Sequence, residues 1–513
     1  MKSSADTLLT FLRDATNAST APLYRQVYQR VRTAILAGEL RPGARLPSSR
    51  RLSMDFGLSR NTVELAFSQL ETEGFVVRRQ GSGTSVCRTI PGRPTGIASR
   101  PRTVGPVGSR LSTSQTGACA VKAPLSSRGR ALVDAFARPG PAADPPLIFG
   151  ACGPALDHFP VALWNRLASR RARLAGRHLL RSGDPGGYRP LREAIAAYLG
   201  AARGVRCRPE QVIVTTSTQQ GLDLCARLLL EPGDRAWTED PGYRCARAAL
   251  EGNRVRAVPI SVDEQGLDVA VGKRRAPRAR FAYVTPSHQY PLAVTLSLER
   301  RLDLLRWAEG AGAWIFEDDY DSEYRYNGRP LAALQGLDTA GQVIYAGTFH
   351  KVLYPGLRLA YLVVPEVLVE AFSTARDATD GFCPPLTQAV AADFIAQGHL
   401  ATHLRQMRSL YRQRRDALCH ALTSTPGLAN VLRLGPTDAG LHIVGLLPAE
   451  MSDRRISELA ANVGLGIATL SGHFADPCAA RPGLIFHYAA LSPEVIASGI
   501  ERLATRLARE RLL

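Results

Sequence analysis

Lysine is almost missing from this chain. Of its 64 basic residues, only Lys2, Lys122, Lys273 and Lys351 are lysine; the other sixty are arginine. Paired cysteines are missing too. The nine that occur are scattered, odd in number and free of any C-x-x-C pair. That argues against a disulfide framework or a thiolate zinc site and fits a reducing, cytoplasmic setting. No stretch approaches the roughly 18 consecutive apolar residues of a membrane span, and residues 1–16 have no apolar core for a signal peptide. No membrane partner is expected. His399 and His403 stand at helical i, i+4 spacing without an acidic third ligand. They read as a solvated helix face, and no metal is expected.

The 513 residues allow two to four domains, and 45% hydrophobic residues suffice for a large core. The net charge of +19 is unevenly placed. Residues 1–145 carry 21 Lys and Arg against 9 Asp and Glu, whereas the remainder carry 43 against 36. The electropositive quarter is what a nucleic-acid-binding arm needs.

Three regions follow. Residues 20–88 predict a compact helical unit with a small wing. Leu23, Val27, Val31 and Ile35 mark one helix face, stopped by Gly38. A second helix runs from Ser49 to Phe56, Gly57 turns the chain, and Ser59 caps a third helix with Val63, Phe67 and Leu70 inside. Phe75 to Val86 reads as two short strands about a glycine turn at Gly81. Residues 89–145, rich in Pro, Gly, Ser and Arg, predict a long flexible linker. From 146 to 513 apolar strand-like runs alternate with helical stretches. Candidate strands are 212–216, 255–260, 280–285, 314–317, 343–346 and 359–364, and candidate helices include 219–230 and 298–309. Such alternation implies an α/β domain with a mostly parallel sheet, whose ligands bind at the carboxyl ends of the strands.

A helix, a turn and a polar-faced second helix form the geometry that enters a DNA major groove. Arg60, Asn61 and Thr62 occupy the first turn of that helix; Arg pairs with guanine and Asn with adenine. Arg50 and Arg51 are placed for phosphates, as are Arg78 and Arg79 on the wing. The segment 23–86, with Gly43-Ala44-Arg45-Leu46-Pro47-Ser48-Ser49-Arg50 and Ser59-Arg60-Asn61-Thr62-Val63, resembles the winged helix of GntR-family regulators. The resemblance implies double-stranded operator DNA as partner and adds Arg45, Ser48, Ser59 and Gly81 to the contact surface.

Lys351 belongs to Gly347-Thr348-Phe349-His350-Lys351, shortly after Glu317-Asp318-Asp319-Tyr320. Arginine stays protonated, but a desolvated lysine can lose its proton and form a Schiff base. A lysine with an acid for a pyridine nitrogen is what pyridoxal 5'-phosphate (PLP) requires. Asp318 is the expected acid, with Asp319 as the alternate, and Tyr320 is expected at the ring hydroxyl. Ser217, Thr218 and Gln219, between a strand and a helix, offer hydroxyls and N–H groups for the phosphate. Thr348 and Arg358 complete that cup, and Tyr243 is the candidate stacking aromatic.

Over residues 147–510 the chain looks like a fold-type I aminotransferase, and with its winged head it resembles the MocR/GabR class of transcription regulators. Gly183-Asp184-Pro185 with Leu191-Arg192-Glu193, Glu317 to Asp321, and Thr348 to Arg358 carry that likeness. It implies PLP on Lys351, a head-to-tail homodimer, and an effector sensed at the cofactor: an amine, an amino acid or PLP itself. Three positions depart from the enzyme pattern. Tyr290 stands where an asparagine often precedes the proline, leaving Gln289 or His288 for the ring hydroxyl, or no residue of this segment. Ile485 stands where a carboxylate-binding arginine is usual. A tyrosine reaching the partner's phosphate is absent around residues 181–183. The expected function is therefore PLP-dependent transcription regulation. An active aminotransferase with a DNA-binding head is the alternative, and a PLP-free dimerisation scaffold is a weaker third.

Overall fold

A computed structural model describes residues 22–79, 83–88, 125–126, 128–130, 133, 147–150, 153–174, 177–327 and 331–512. Gly81 and nearly all of the expected linker lie outside the described residues. The chain forms two compact units, one up to Ala118 and one from Cys119 onward. No helix among the described residues is long and apolar enough to cross a membrane.

In the first unit α1 (Leu23–Ala37), α2 (Ser49–Phe56) and α3 (Arg60–Thr72) precede a hairpin of β1 (Val76–Arg79) and β2 (Gly83–Val86). Val27, Val31 and Ile35 are buried as the helical period requires, while Leu23 at the first turn stays exposed. Gly38 and Gly57 end α1 and α2 in the left-handed region, which costs a glycine little. The core joins Leu52 of α2, Val63, Phe67 and Leu70 of α3, and Val76 and Val86 of the wing. The antiparallel register pairs Val76 with Val86 and Arg79 with Gly83.

The second unit contains an eight-stranded sheet in the order β3-β10-β9-β8-β7-β4-β5-β6. Its strands are β3 (Val212–Thr215), β4 (Arg235–Asp240), β5 (Arg256–Asp263), β6 (Gly266–Leu267), β7 (Phe281–Val284), β8 (Trp314–Asp319), β9 (Val343–Thr348) and β10 (Ala360–Val363). Strands β5, β4, β7, β8 and β9 run parallel, and β10 runs against both β9 and β3. Alternate residues feed separate cores. Phe281 and Tyr283 pack with Leu222 and Leu250, whereas Ala282 and Val284 pack with Leu304 and Trp307. A sheet covered on both faces reads as continuous apolar runs, which is why these strands were visible in the sequence. β4, bounded by charges in Arg235-Ala-Trp-Thr-Glu-Asp240, was not among the expected strands.

A long helix (His399–Ser424) leads to a second, antiparallel sheet. Its order is β11 (Arg433–Leu434), β12 (His442–Leu446), β14 (Gly483–His487) and β13 (Ala468–Thr469). The long helix corrects one expectation. His403 is buried rather than solvated, its Nε2 lying 3.1 Å from the Val352 carbonyl, because that face packs against Phe159 and Phe394.

Candidate functional site

The sheet order brings the expected cofactor residues to one edge. Ala360 at the start of β10 pairs with Thr215 at the end of β3 and with Thr348 at the end of β9. Thr348 and the segments that carry Ser217 and Arg358 therefore reach the same sheet edge, where the adjacent β8 ends with Asp318 and Asp319.

Asp318 is buried, and Tyr283 donates its hydroxyl to Oδ2 at 2.7 Å. Its Oδ1 is buried without a hydrogen-bond partner. Burial pushes this carboxyl up to about 7, against the opposing pull of the Tyr283 hydroxyl and the positive charge of Lys351. Asp319 points to the other side of the strand, where Arg203 holds it at 2.8 Å and Tyr345 at 2.6 Å. The strand alternation thus separates the two candidate acids.

At the cup, Ser217 caps the helix 218–229 by accepting from the Gln220 N–H at 3.1 Å. Gln219 donates to the Cys245 carbonyl at 2.9 Å, and its Oε1 is buried without a partner. Thr348 accepts from the backbone of His350 at 3.2 Å. Burial and then the charge of Arg358 push His350 down to about 4. Arg358 itself sits at φ 52°, a left-handed conformation disfavoured for a residue with a Cβ. Tyr243 meets Tyr290 edge-on, ring centroids 6.1 Å apart.

Tyr320 lies 3.0 Å from His288 Nδ1, and both carboxylate oxygens of Asp321 lie 3.1 Å from the same nitrogen. Gln289, expected near the ring hydroxyl, is spent elsewhere. Its Nε2 serves the Pro241 and Tyr290 carbonyls and Glu239, and its Oε1 accepts from Leu292. Sequence reasoning missed Tyr283, Asp321, His442 and His487. Asp321 had a signal, as the last residue of the acidic run; the two C-terminal histidines had none. His288, Asp321 and His442 bring their ligand-type atoms within 4.8 Å of one another.

On the first unit, Arg45, Ser48, Arg50, Arg51, Ser59, Arg60, Asn61 and Arg79 are exposed, and Thr62 is half-buried. Ser48 and Ser59 cap their helices by accepting from Arg51 and Thr62 backbone N–H groups at 3.3 and 3.4 Å. Arg78 differs from its neighbour. It bonds Glu64 at 2.9 Å, approaches Glu71 at 3.5 Å and lies over the Phe67 ring. The Ser49 hydroxyl, and after it Arg78, hold Glu64 below the usual carboxylate range.

Fold and site together define a winged-helix DNA-binding unit joined to a PLP-dependent, aminotransferase-like domain. The family models agree: the gntR family of bacterial regulatory proteins matches residues 23–86, and aminotransferase class I and II matches residues 156–468. The chain is 40% identical over 488 residues to the probable rhizopine catabolism regulatory protein MocR of Rhizobium meliloti, covering 94% of this chain and 93% of the relative. It is 31% identical to the pyridoxine biosynthesis transcriptional regulator PdxR of Corynebacterium glutamicum, covering 90% and 91%. Among solved structures it matches the α-aminoadipate aminotransferase LysN of Thermus thermophilus, complexed with N-(5'-phosphopyridoxyl)-L-leucine. That match has 28% identity and a TM-score of 0.66, over 76% of this chain and 96% of that one. The kynurenine aminotransferase of Pyrococcus horikoshii, solved with PMP, matches at 26% identity and TM-score 0.65, over 76% and 96%.

The chain belongs to the MocR-type transcription regulators of the GntR family. Its winged helix binds DNA, and its aminotransferase-like domain binds pyridoxal phosphate. The residues fit that cofactor, since a buried, unpartnered Asp318 oxygen close to Lys351 is what a protonated ring nitrogen pairs with.

Proposed function

We propose that Lys351 holds PLP and that the loaded domain senses a small amine, an amino acid or PLP itself, passing its state to the winged helix in a cytoplasmic, head-to-tail homodimer. The observation that carries this reading is the unpartnered Oδ1 of Asp318, buried within the electrostatic reach of Lys351. When bound, the cofactor supplies an electrophilic carbon for an amine, activated by a protonated ring nitrogen. Asp318 holds that proton, with Tyr283 fixing its other oxygen. Ser217, Thr218 and Gln219 offer the helix N-terminus, and Thr348 and Arg358 the hydroxyl and the charge, for a phosphate. Tyr320 is oriented by His288 towards the ring hydroxyl, and Tyr243 covers the ring face. Arg60, Asn61 and Thr62 read bases, while Arg45, Arg50, Arg51 and Arg79 contact phosphates.

Purified protein is expected to be yellow, and borohydride is expected to fix the cofactor covalently to the peptide containing Lys351. Protein that stays colourless after incubation with PLP would refute the reading. The enzymatic alternative has its own test. With Ile485 at the clamp position, keto-acid production from common amino acids over hours is expected to stay near background. Sustained multiple turnover, with no ligand effect on operator binding, would establish an enzyme instead.

A further inference from the structure

A cavity of about 620 Å³ lies between the two sheets of the second unit, and none of Lys351, Asp318, Thr348 and Arg358 lines it. Its size suits a small organic molecule. One side comes from the end of β5 and the loop 292–295, the other from β11, β12 and the segment that carries Leu470 and Phe474. An occupant would therefore touch both sheets. The loop is a fixed wall. Gln289 donates its backbone N–H to Val294 at 2.8 Å, Ala293 donates back to Gln289 at 2.7 Å, and the Gln289 side chain accepts from Leu292 at 2.9 Å. Leu292, Val294, Val444, Leu446, Leu470 and Phe474 give the cavity an apolar lining.

The charged lining has four carboxylates, Asp240, Asp263, Glu264 and Asp438, and three guanidiniums, Arg325, Arg433 and Arg481. Their partners decide which charge is left over. Asp263 is closed off, because Arg300 donates to each of its oxygens at 2.6 Å. Burial pushes Asp240 up, against the Ala475 N–H at 2.7 Å and then the charges of Arg247 and Arg275, which stand outside the lining. Asp438 accepts from the Asn327 amide at 2.7 Å. Glu264 and Asp438 thus remain against three guanidiniums. Among the described residues, no carboxylate stands within ion-pair distance of Arg325, Arg433 or Arg481. Arg433 and Arg481 are exposed, but Arg325 is half-buried and its backbone is bridged to Ala439 of the lining. The Arg325 Nε is buried without a hydrogen-bond partner. A buried donor in that state gains from any acceptor brought to it, and a guanidinium edge takes a carboxylate by two parallel bonds.

We propose that this cavity is a second ligand site, separate from the cofactor, for a small molecule with an apolar body and one carboxylate, which Arg325 binds. The test is calorimetric titration of full-length, PLP-loaded protein and of Lys351→Ala with three probes of one shape. They are 4-phenylbutyrate, its neutral amide, and (3-phenylpropyl)trimethylammonium, a cation that cannot form a Schiff base. The acid is expected to bind about tenfold tighter than either of the others, the scale of one charge-assisted hydrogen bond. It is expected to bind Lys351→Ala equally well and to leave the visible spectrum of the loaded protein unchanged. Arg325→Gln is expected to reduce the acid to the affinity of the amide. Leu446→Trp, which fills the cavity, is expected to weaken all three probes while colour and operator binding persist. The comparison of probes on protein with the natural sequence decides even if a variant fails to fold. No binding of the acid, equal binding of the three, or tighter binding of the ammonium overturns the proposal. Binding that is lost in Lys351→Ala, or that shifts the spectrum, overturns it by placing the ligand at the cofactor. Colourless protein fails the cofactor reading instead, and the order of the three probes still decides for the cavity.

Discussion

At the edge of the eight-stranded sheet, charge meets charge: Asp318 feels Lys351, and Arg203 holds Asp319 at 2.8 Å. The C-terminal sheet offers no such pair along its register, which sets His442 beside His487 and Val444 beside Ile485. On the reading proposed above, the two walls have different tasks. A cofactor imposes fixed chemistry on its wall, which the lysine, the acid and the strand-end hydroxyls would have to meet together. The opposite wall would meet the small molecule to be sensed. On that reading the likeness to aminotransferases holds at the floor, with Asp318 and Lys351, and gives way at the expected clamp position, Ile485.

The sharpest way to break the contrast is at the floor. Lys351→Ala is expected to lose the cofactor on gel filtration, seen as complete loss of visible absorbance, while secondary structure by circular dichroism is unchanged. Retention of colour would move the anchoring amine elsewhere.

Asp318→Asn gives a smaller, thermodynamic effect. In the cofactor-free protein burial raises this carboxyl to about 7, while in the unfolded chain it sits near 4. The folded protein therefore keeps a proton the unfolded chain has lost between those values. Its contribution to stability is full below about pH 4 and lost as pH rises through 7. Cofactor-free Asp318→Asn is expected to exceed cofactor-free wild type in stability by up to a few kcal/mol at pH 8 and by nothing at pH 4. Urea denaturation at the two pH values measures this. Equal differences at both would mean that water reaches Asp318 in the folded state.

The same contrast governs what was legible beforehand. The floor is written in contiguous motifs at strand ends, so the arrival of Asp318, Thr348 and Lys351 at one sheet edge could be anticipated from their positions after candidate strands. The wall is assembled from short strands far apart in the chain: His442 and His487 are neighbours only through the antiparallel register. Nothing local announces such a pair. Gln289 shows a second limit. Its residue type suited the ring hydroxyl, yet Glu239, fifty positions earlier, and three backbone groups claim its side chain. Residue type is visible in sequence, but prior commitment of its hydrogen bonds is not. In the winged helix almost everything was legible, because its helices are capped and terminated locally by Ser48, Gly57, Ser59 and Gly38.

That surface offers a finer comparison, between Asn61 and Arg78. Asn61 is exposed on the first turn of α3. Asn61→Ala is expected to cost about 1–3 kcal/mol at one operator position and little at the others, measured by binding to a set of single-base operator variants. A uniform loss across the set would make Asn61 a backbone contact.

Arg78 is expected to behave as a strut. Its guanidinium is tied to Glu64 and Glu71 and stacked on Phe67, joining the wing to α3. The group is partly exposed, so the ion pairs are worth no more than about 1 kcal/mol after solvent screening. Arg79, next in the strand, is exposed and has no acid in contact among the described residues. The two arginines should therefore separate on different axes. Arg79→Ala is expected to lower the slope of log affinity against log salt by about one, the signature of one lost phosphate contact. Arg78→Ala is expected to leave that slope almost unchanged and to lower the midpoint of winged-helix unfolding slightly, since α3 then loses its tie to the wing. A slope change for Arg78→Ala as large as that for Arg79→Ala would show that DNA pulls this side chain away from Glu64, and that both arginines of the wing bind phosphate.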